Sequence, residues 1–267
     1  MSISMIIICA IAGLAIYPFL NVIIRRLVAK VRSREDYDED VDGIMSAEEK
    51  KASEEAKVIE AEKLKIGIKD VYKESNVKFV AITILGFILG GLVGYKFGLS
   101  IDTIIFFIFF AVLTVISFVD MATMEIPPEL NWIVLGLGIV STVLTLTGIS
   151  ELTIVQRLVG LVCVSGFMLL LTIIVKGAFG GGDIKLMAAA GLLLGWKGIL
   201  TSFIFGLFLG AAIGVVLLAR RKKGGKEHMS FGPSLCAGLV AASIFGSQLI
   251  DWYINVIKLS MPNTFGN

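Results

Sequence analysis

Runs of apolar residues long enough to cross a bilayer recur along most of the chain, at 3–24, 79–95, 101–119, 131–147, 157–175, 198–219 and 231–257. A bilayer's hydrocarbon core is about 30 Å thick, and an exposed backbone inside it must satisfy its own hydrogen bonds. The first run alone would reach about 33 Å as a helix rising about 1.5 Å per residue. The sequence therefore predicts an all-α, polytopic membrane protein. Composition agrees: 56% of residues are hydrophobic and 17% charged, which excludes an ordinary soluble domain. A further apolar run at 184–194 is short, about 17 Å as a helix.

Charge decides whether that short run counts as a span. Arg25, Arg26, Lys30, Arg32 and Arg34 follow the first run, Lys176 precedes a glycine cluster, and Arg220, Arg221, Lys222, Lys223 and Lys226 follow the 198–219 run. With eight spans all of these fall on one side, leaving Lys96, Arg157, Lys197 and Lys258 on the other. Lys and Arg crowd the cytosolic side of membrane proteins. About eight transmembrane helices are thus expected, with both termini outside. Residues 1–24 form the first helix, 25–78 a charged cytosolic insertion, and 79–267 a membrane-embedded core. No Lys or Arg precedes the first apolar run and Arg25-Arg26 close it, which suits a retained helix rather than a cleaved signal.

The insertion carries two patterns. Residues 46–69 are rich in Ala, Glu and Lys and read as a solvated polar helix. Asp38, Asp40, Asp42-Gly43 and Glu49 match the spacing of a calcium-binding EF-hand loop, set against the alternative of a disordered acidic run. Cys9, Cys163 and Cys236 are isolated, each in or beside an apolar run, and read as small core residues. The single histidine, His228, reads as a solvated loop residue, Asp102 as a helix-start carboxylate, and Lys96 and Lys258 as interfacial anchors.

Two acids stand apart. Asp120 ends the apolar run 101–119, and Asp183 lies at the junction of the runs on either side of Gly180-Gly181-Gly182. Ionisable groups at membrane depth are costly and mark functional sites. On the eight-span topology both emerge at the cytosolic face. The three glycines predict a loosened, partly unwound start to the following helix, where a substrate backbone can approach.

Four segments in order then resemble the type IV prepilin leader peptidases, which are GxGD intramembrane aspartyl proteases. They are Phe19-Leu20-Asn21-Val22-Ile23-Ile24-Arg25-Arg26, Asp120-Met121-Ala122-Thr123-Met124-Glu125-Ile126-Pro127, Gly180-Gly181-Gly182-Asp183-Ile184-Lys185-Leu186, and Phe231-Gly232-Pro233-Ser234-Leu235. The resemblance implies Asp120 and Asp183 as a catalytic pair that activates water. Gly180, Gly181, Gly182 and Lys185 would then meet the substrate. It also implies prepilin or pseudopilin precursors in the membrane as partners, at the inner (plasma) membrane. The acids Glu35, Asp36, Asp38, Glu39, Asp40 and Asp42, with Glu125 and Glu129, are read as able to attract a basic leader. No metal, cofactor or nucleic acid is implied.

The chain departs from the family in two places. Residues 25–78 contain no Cys, where many members carry two CxxC pairs. That leaves no zinc-stabilised loop, and methyl transfer from S-adenosylmethionine is not carried over. Pro128 stands where Asp is frequent. The rival readings are an ion- or proton-coupled transporter, a presenilin-like protease and a non-enzymatic assembly protein. A transporter is disfavoured by acids at helix ends and by the lack of an internal repeat.

Overall fold

The computed structural model describes residues 3–41, 77–148, 150, 152–175, 177–220 and 230–260. Among them every regular element is a helix: α1 Ile3–Val41, α2 Val77–Phe97, α3 Ile101–Thr123, α4 Pro128–Leu146, α5 Ile154–Ile174, α6 Gly181–Arg220 and α7 Gly232–Ser260. Six of these are long and apolar enough to cross a membrane, and Gly232–Gly246 adds a shorter apolar stretch. The chain is an all-α, multi-pass membrane protein. The expected eight segments become seven helices because 184–194 and 198–219 are merged in α6. That helix is nevertheless broken at Gly195, whose φ of 70° and ψ of 174° are not helical. The break falls in the gap between the two apolar runs.

Asp42, Glu49, the 46–69 stretch, Lys176, Lys222 and His228 lie outside the described residues. Asp38 and Asp40 fall on the last turns of α1, which continues to Val41 rather than stopping at Ile24.

The chain divides into two compact units, Met1–Leu130 and Asn131–Asn267. In the first, α1 and α2 pack antiparallel along a glycine face. A Cβ on Gly86 would strike Tyr17 and the Gly13 carbonyl; one on Gly90 would strike the Cys9 carbonyl, and one on Gly94 would lie 2.7 Å from the Met5 carbonyl. Without a hydrophobic drive between helices in lipid, such backbone contact is what holds them. α3 adds an aromatic core: Phe97 stacks on Phe106 at 4.2 Å, and Tyr17 meets Phe107 edge-on at 5.9 Å.

In the second unit α5 packs along α6, and α6 against α7. α5 starts at Ile154, nearly a turn before the expected 157, because Thr153 and Gln156 form a capping box. Thr153 Oγ1 accepts from Gln156 N at 3.3 Å, and Gln156 Oε1 accepts from Thr153 N at 3.0 Å. The buried face of α5 is Arg157, Gly160, Val164, Ser165 and Met168, a helical spacing. Many large apolar side chains point outward, among them Val155, Val162, Ile173, Phe208 and Val215. Such surface is expected of helices that face lipid.

Candidate active site

In the first unit, Asp120 closes a buried stripe on α3 that runs Phe109, Leu113, Ile116, Asp120. Its carboxylate is set in the last turn of the helix, and the residue is 4% exposed. The turn beyond it is tied back to Asp120 itself: Met124 N–H donates to the Asp120 carbonyl at 2.8 Å. Met124 adopts the left-handed region, φ 56° and ψ 19°, a cap usually given to glycine. Thr123 Oγ1 donates to the Val119 carbonyl at 3.0 Å. The chain then turns through Ile126 and Pro127, both buried, into α4. Pro128 is the first residue of α4. Proline is favoured there, since its missing N–H would have no helical partner and its φ suits the helix. That accounts for the departure noted at this position.

Glu129 follows in the first turn of α4. It is engaged by Lys30, whose Nζ donates to Glu129 Oε1 at 2.6 Å. The carboxylate read as attracting a basic leader is therefore already engaged, and its charge offset, by a cation on α1. Both side chains are well exposed, so the pair adds little to stability.

In the second unit, Asp183 lies in the first turn of α6 and is 9% exposed. The expected unwound start is not what forms: α6 begins at Gly181, and Gly180 is the residue before it. Ile184 N–H donates to the Gly180 carbonyl at 3.2 Å, the first bond of the helix. Asp183 is then the third helical residue, where a carboxylate reaches back over the helix start and faces the positive end of its dipole. A Cβ on Gly180 would lie 3.2 Å from Asp183 Oδ2, whereas one on Gly181 would meet nothing within 4 Å. Lys185 is exposed, and Leu186 and Met187 are buried.

Two contacts hold this start in place that the sequence did not single out. Asn131 Nδ2 donates to the Gly182 carbonyl at 3.2 Å, linking α4 to α6. Phe179 packs on Phe203 of α6 at 6.1 Å and on Phe231 at 5.7 Å. Phe231 opens the fourth family-like segment, which thereby buttresses the residue just before the glycines. An Asn at the head of an otherwise apolar helix was the available signal for the first contact; nothing local signalled the second.

The two glycines should separate experimentally. On the expectation that Asp183 is a catalytic group, Gly180→Ala should lower activity roughly tenfold, because a small displacement of a reacting group is amplified in rate. Gly181→Ala has room, so any loss there reports the approach of substrate rather than crowding of Asp183. Equal rates for Gly180→Ala and the parent would remove the proposed steric link.

Residues 107–215 match the type IV leader peptidase family. Among curated proteins, the chain is 26% identical over 163 residues to a prepilin leader peptidase/N-methyltransferase of Bacillus subtilis, covering 61% of this chain and 64% of that protein. It is 25% identical over 182 residues to one of Legionella pneumophila, covering 67% and 63%. A third, of Burkholderia pseudomallei, is 40% identical over 68 residues, covering 26% and 22%. The chain thus spans less than two thirds of the length of these relatives. No solved structure matches it. The resemblance drawn from the motifs is thereby supported: the segment 107–215, with Asp120 and Asp183 inside it, matches the type IV leader peptidase family.

Proposed function

We propose that the chain is a membrane aspartyl endopeptidase that removes the basic leader from type IV prepilin or pseudopilin precursors at the cytosolic membrane face. The observation that carries this reading is the family match across 107–215, which includes both acids. Burial of each carboxylate at a helix end supports it. Asp120 and Asp183 act as a pair on one water. Hydrolysis needs a base to take a proton from water and an acid to give one to the departing amine. Two carboxylates sharing a single proton supply both: the ionised member activates the water, and the protonated member polarises the scissile carbonyl. The pair titrates as a unit. Gly180, Gly181, Gly182 and Lys185 flank the substrate strand.

A carrier would also contain a broken helix, with freed carbonyls that coordinate an ion. Here the carbonyls of Leu192 and Leu193, just before the break, accept from Arg157 instead. That argues for the peptidase.

The test is incubation of the reconstituted chain with a membrane-embedded prepilin, with mass spectrometry of the product. A new N-terminus at the leader junction is expected, and no shortened product would overturn the reading. The same topology argument predicts that a cysteine at Lys222 is labelled only from the cytosolic side. Labelling from the outer face would reverse the orientation.

A further inference from the structure

Among the described residues Arg157 is the largest fully buried side chain, 1% exposed. By its place in the sequence it reads as a loop charge. A buried guanidinium is tolerated only when its donors are met. Nη1 donates to the Leu192 carbonyl at 3.1 Å and to the Leu193 carbonyl at 2.9 Å. Nε donates to Thr145 Oγ1 at 2.9 Å, and Nη2 to Ser150 Oγ at 2.8 Å. The Thr145 hydroxyl donates onward to the Ser141 carbonyl at 3.1 Å, which leaves its lone pair for the guanidinium.

These partners have a common meaning. The last carbonyls of a helix lack partners within it, and the break at Gly195 creates such an end inside α6. Arg157 takes two of those carbonyls and places its charge at the negative end of the half-helix 181–194. The other end of that half-helix holds Asp183, and there Asn131 takes the Gly182 carbonyl. Asn131 and Thr145 lie near opposite ends of α4. Between them, a Cβ on Gly138 would lie 3.2 Å from Leu192 Cβ and 3.3 Å from the Ala189 carbonyl. α4 therefore runs beside the half-helix and is fastened to it at both ends, directly by Asn131 and through Arg157 by Thr145.

We infer that Arg157 is a positioning residue for Asp183: with Asn131 it fixes where the half-helix 181–194 sits along its own axis, and so where the carboxylate is presented. The inference rests on the reading of Asp183 as a catalytic group. Lys cannot replace Arg here, because one ammonium cannot span carbonyls and hydroxyls from three separate segments.

The test uses the full chain in lipid vesicles, with a prepilin carrying a basic leader. Arg157→Lys is expected to lower kcat per folded molecule roughly tenfold, with KM changed less than about twofold, because lost alignment acts on the transition state rather than on binding. Thr145→Val, which removes one anchor and keeps the arginine, should give a smaller fall of the same kind, about threefold. A second readout is independent of catalysis. A cysteine at Lys185, in a background without Cys9, Cys163 and Cys236, should change its alkylation rate when Arg157→Lys is added. Arg157→Met strands two carbonyls and is the variant at risk of not folding, so the decision rests on the other two. Parental kcat and parental labelling in both would overturn the inference. If Asp183→Asn cleaves like the parent, the peptidase reading fails instead, and labelling at position 185 still decides whether Arg157 sets the half-helix.

Discussion

Asp120→Asn and Asp183→Asn are each expected to lower turnover of a membrane-embedded prepilin by on the order of 10⁴-fold or more, with insertion and folding unchanged. An amide keeps the size of the carboxylate and accepts a hydrogen bond, but it neither takes a proton from water nor gives one to the leaving amine. Removing one member of a proton-sharing pair disables both halves of the step, so the double variant should be scarcely worse than either single one. The measurement is a time course of leader removal at equal amounts of folded protein. Turnover within about tenfold of the parent in either single variant would end the two-aspartate mechanism. Chelators should leave the rate of the parent unchanged, since the proposed step uses no metal.

The largest effect on stability is expected where α5 crosses α6. A Cβ on Gly160 would strike the Gly191 carbonyl and lie 2.6 Å from the Gly195 carbonyl carbon and 2.8 Å from Trp196 N; one on Gly191 would strike the Gly160 carbonyl in return. These obstacles are backbone, which cannot swing aside as a flexible side chain would. Gly160→Leu or Gly191→Leu should therefore cost about 3 kcal/mol or more, the upper range for overpacking. Gly136→Leu is the control, because nothing lies within 4 Å of a Cβ there. Thermal unfolding in detergent would show the two crossing variants well below the control. Equal melting of all three would mean that the helices separate more readily than their contact implies.

The span pattern was legible because apolar length alone decides what can enter a bilayer. The pairing of an acid with each helix end was legible for the same reason: Asp120 and Asp183 each interrupt or end an apolar run. Arg157 was misread because it stands at the very start of the run 157–175, so its charge looked like part of the outer loop before it. The capping box at Thr153 and Gln156 starts the helix earlier and carries Arg157 inside. Its partners, at positions 145, 150, 192 and 193, come from three other segments, and no local pattern announces them. Likewise Lys30 and Glu129 are 99 residues apart. Gly180 and Gly181 looked alike in sequence. They differ because Asp183 folds back toward Gly180 and leaves Gly181 open.

The break at Gly195 also bears on the lipid. The half-helix 181–194 rises only about 21 Å, at about 1.5 Å per residue. The hydrocarbon is about 30 Å thick, so on the eight-span topology, in which this half-helix crosses alone, a hydrophobic mismatch of about 9 Å would have to be absorbed. Thinner lipid would relieve that mismatch and bring the Asp183 end nearer the aqueous phase, where on the proposed peptidase function a leader and a water would both arrive. Leader removal should then quicken as acyl chains shorten across a graded series of vesicles, and slow as they lengthen. A chain with such a short segment would sense the thickness of the membrane it works in.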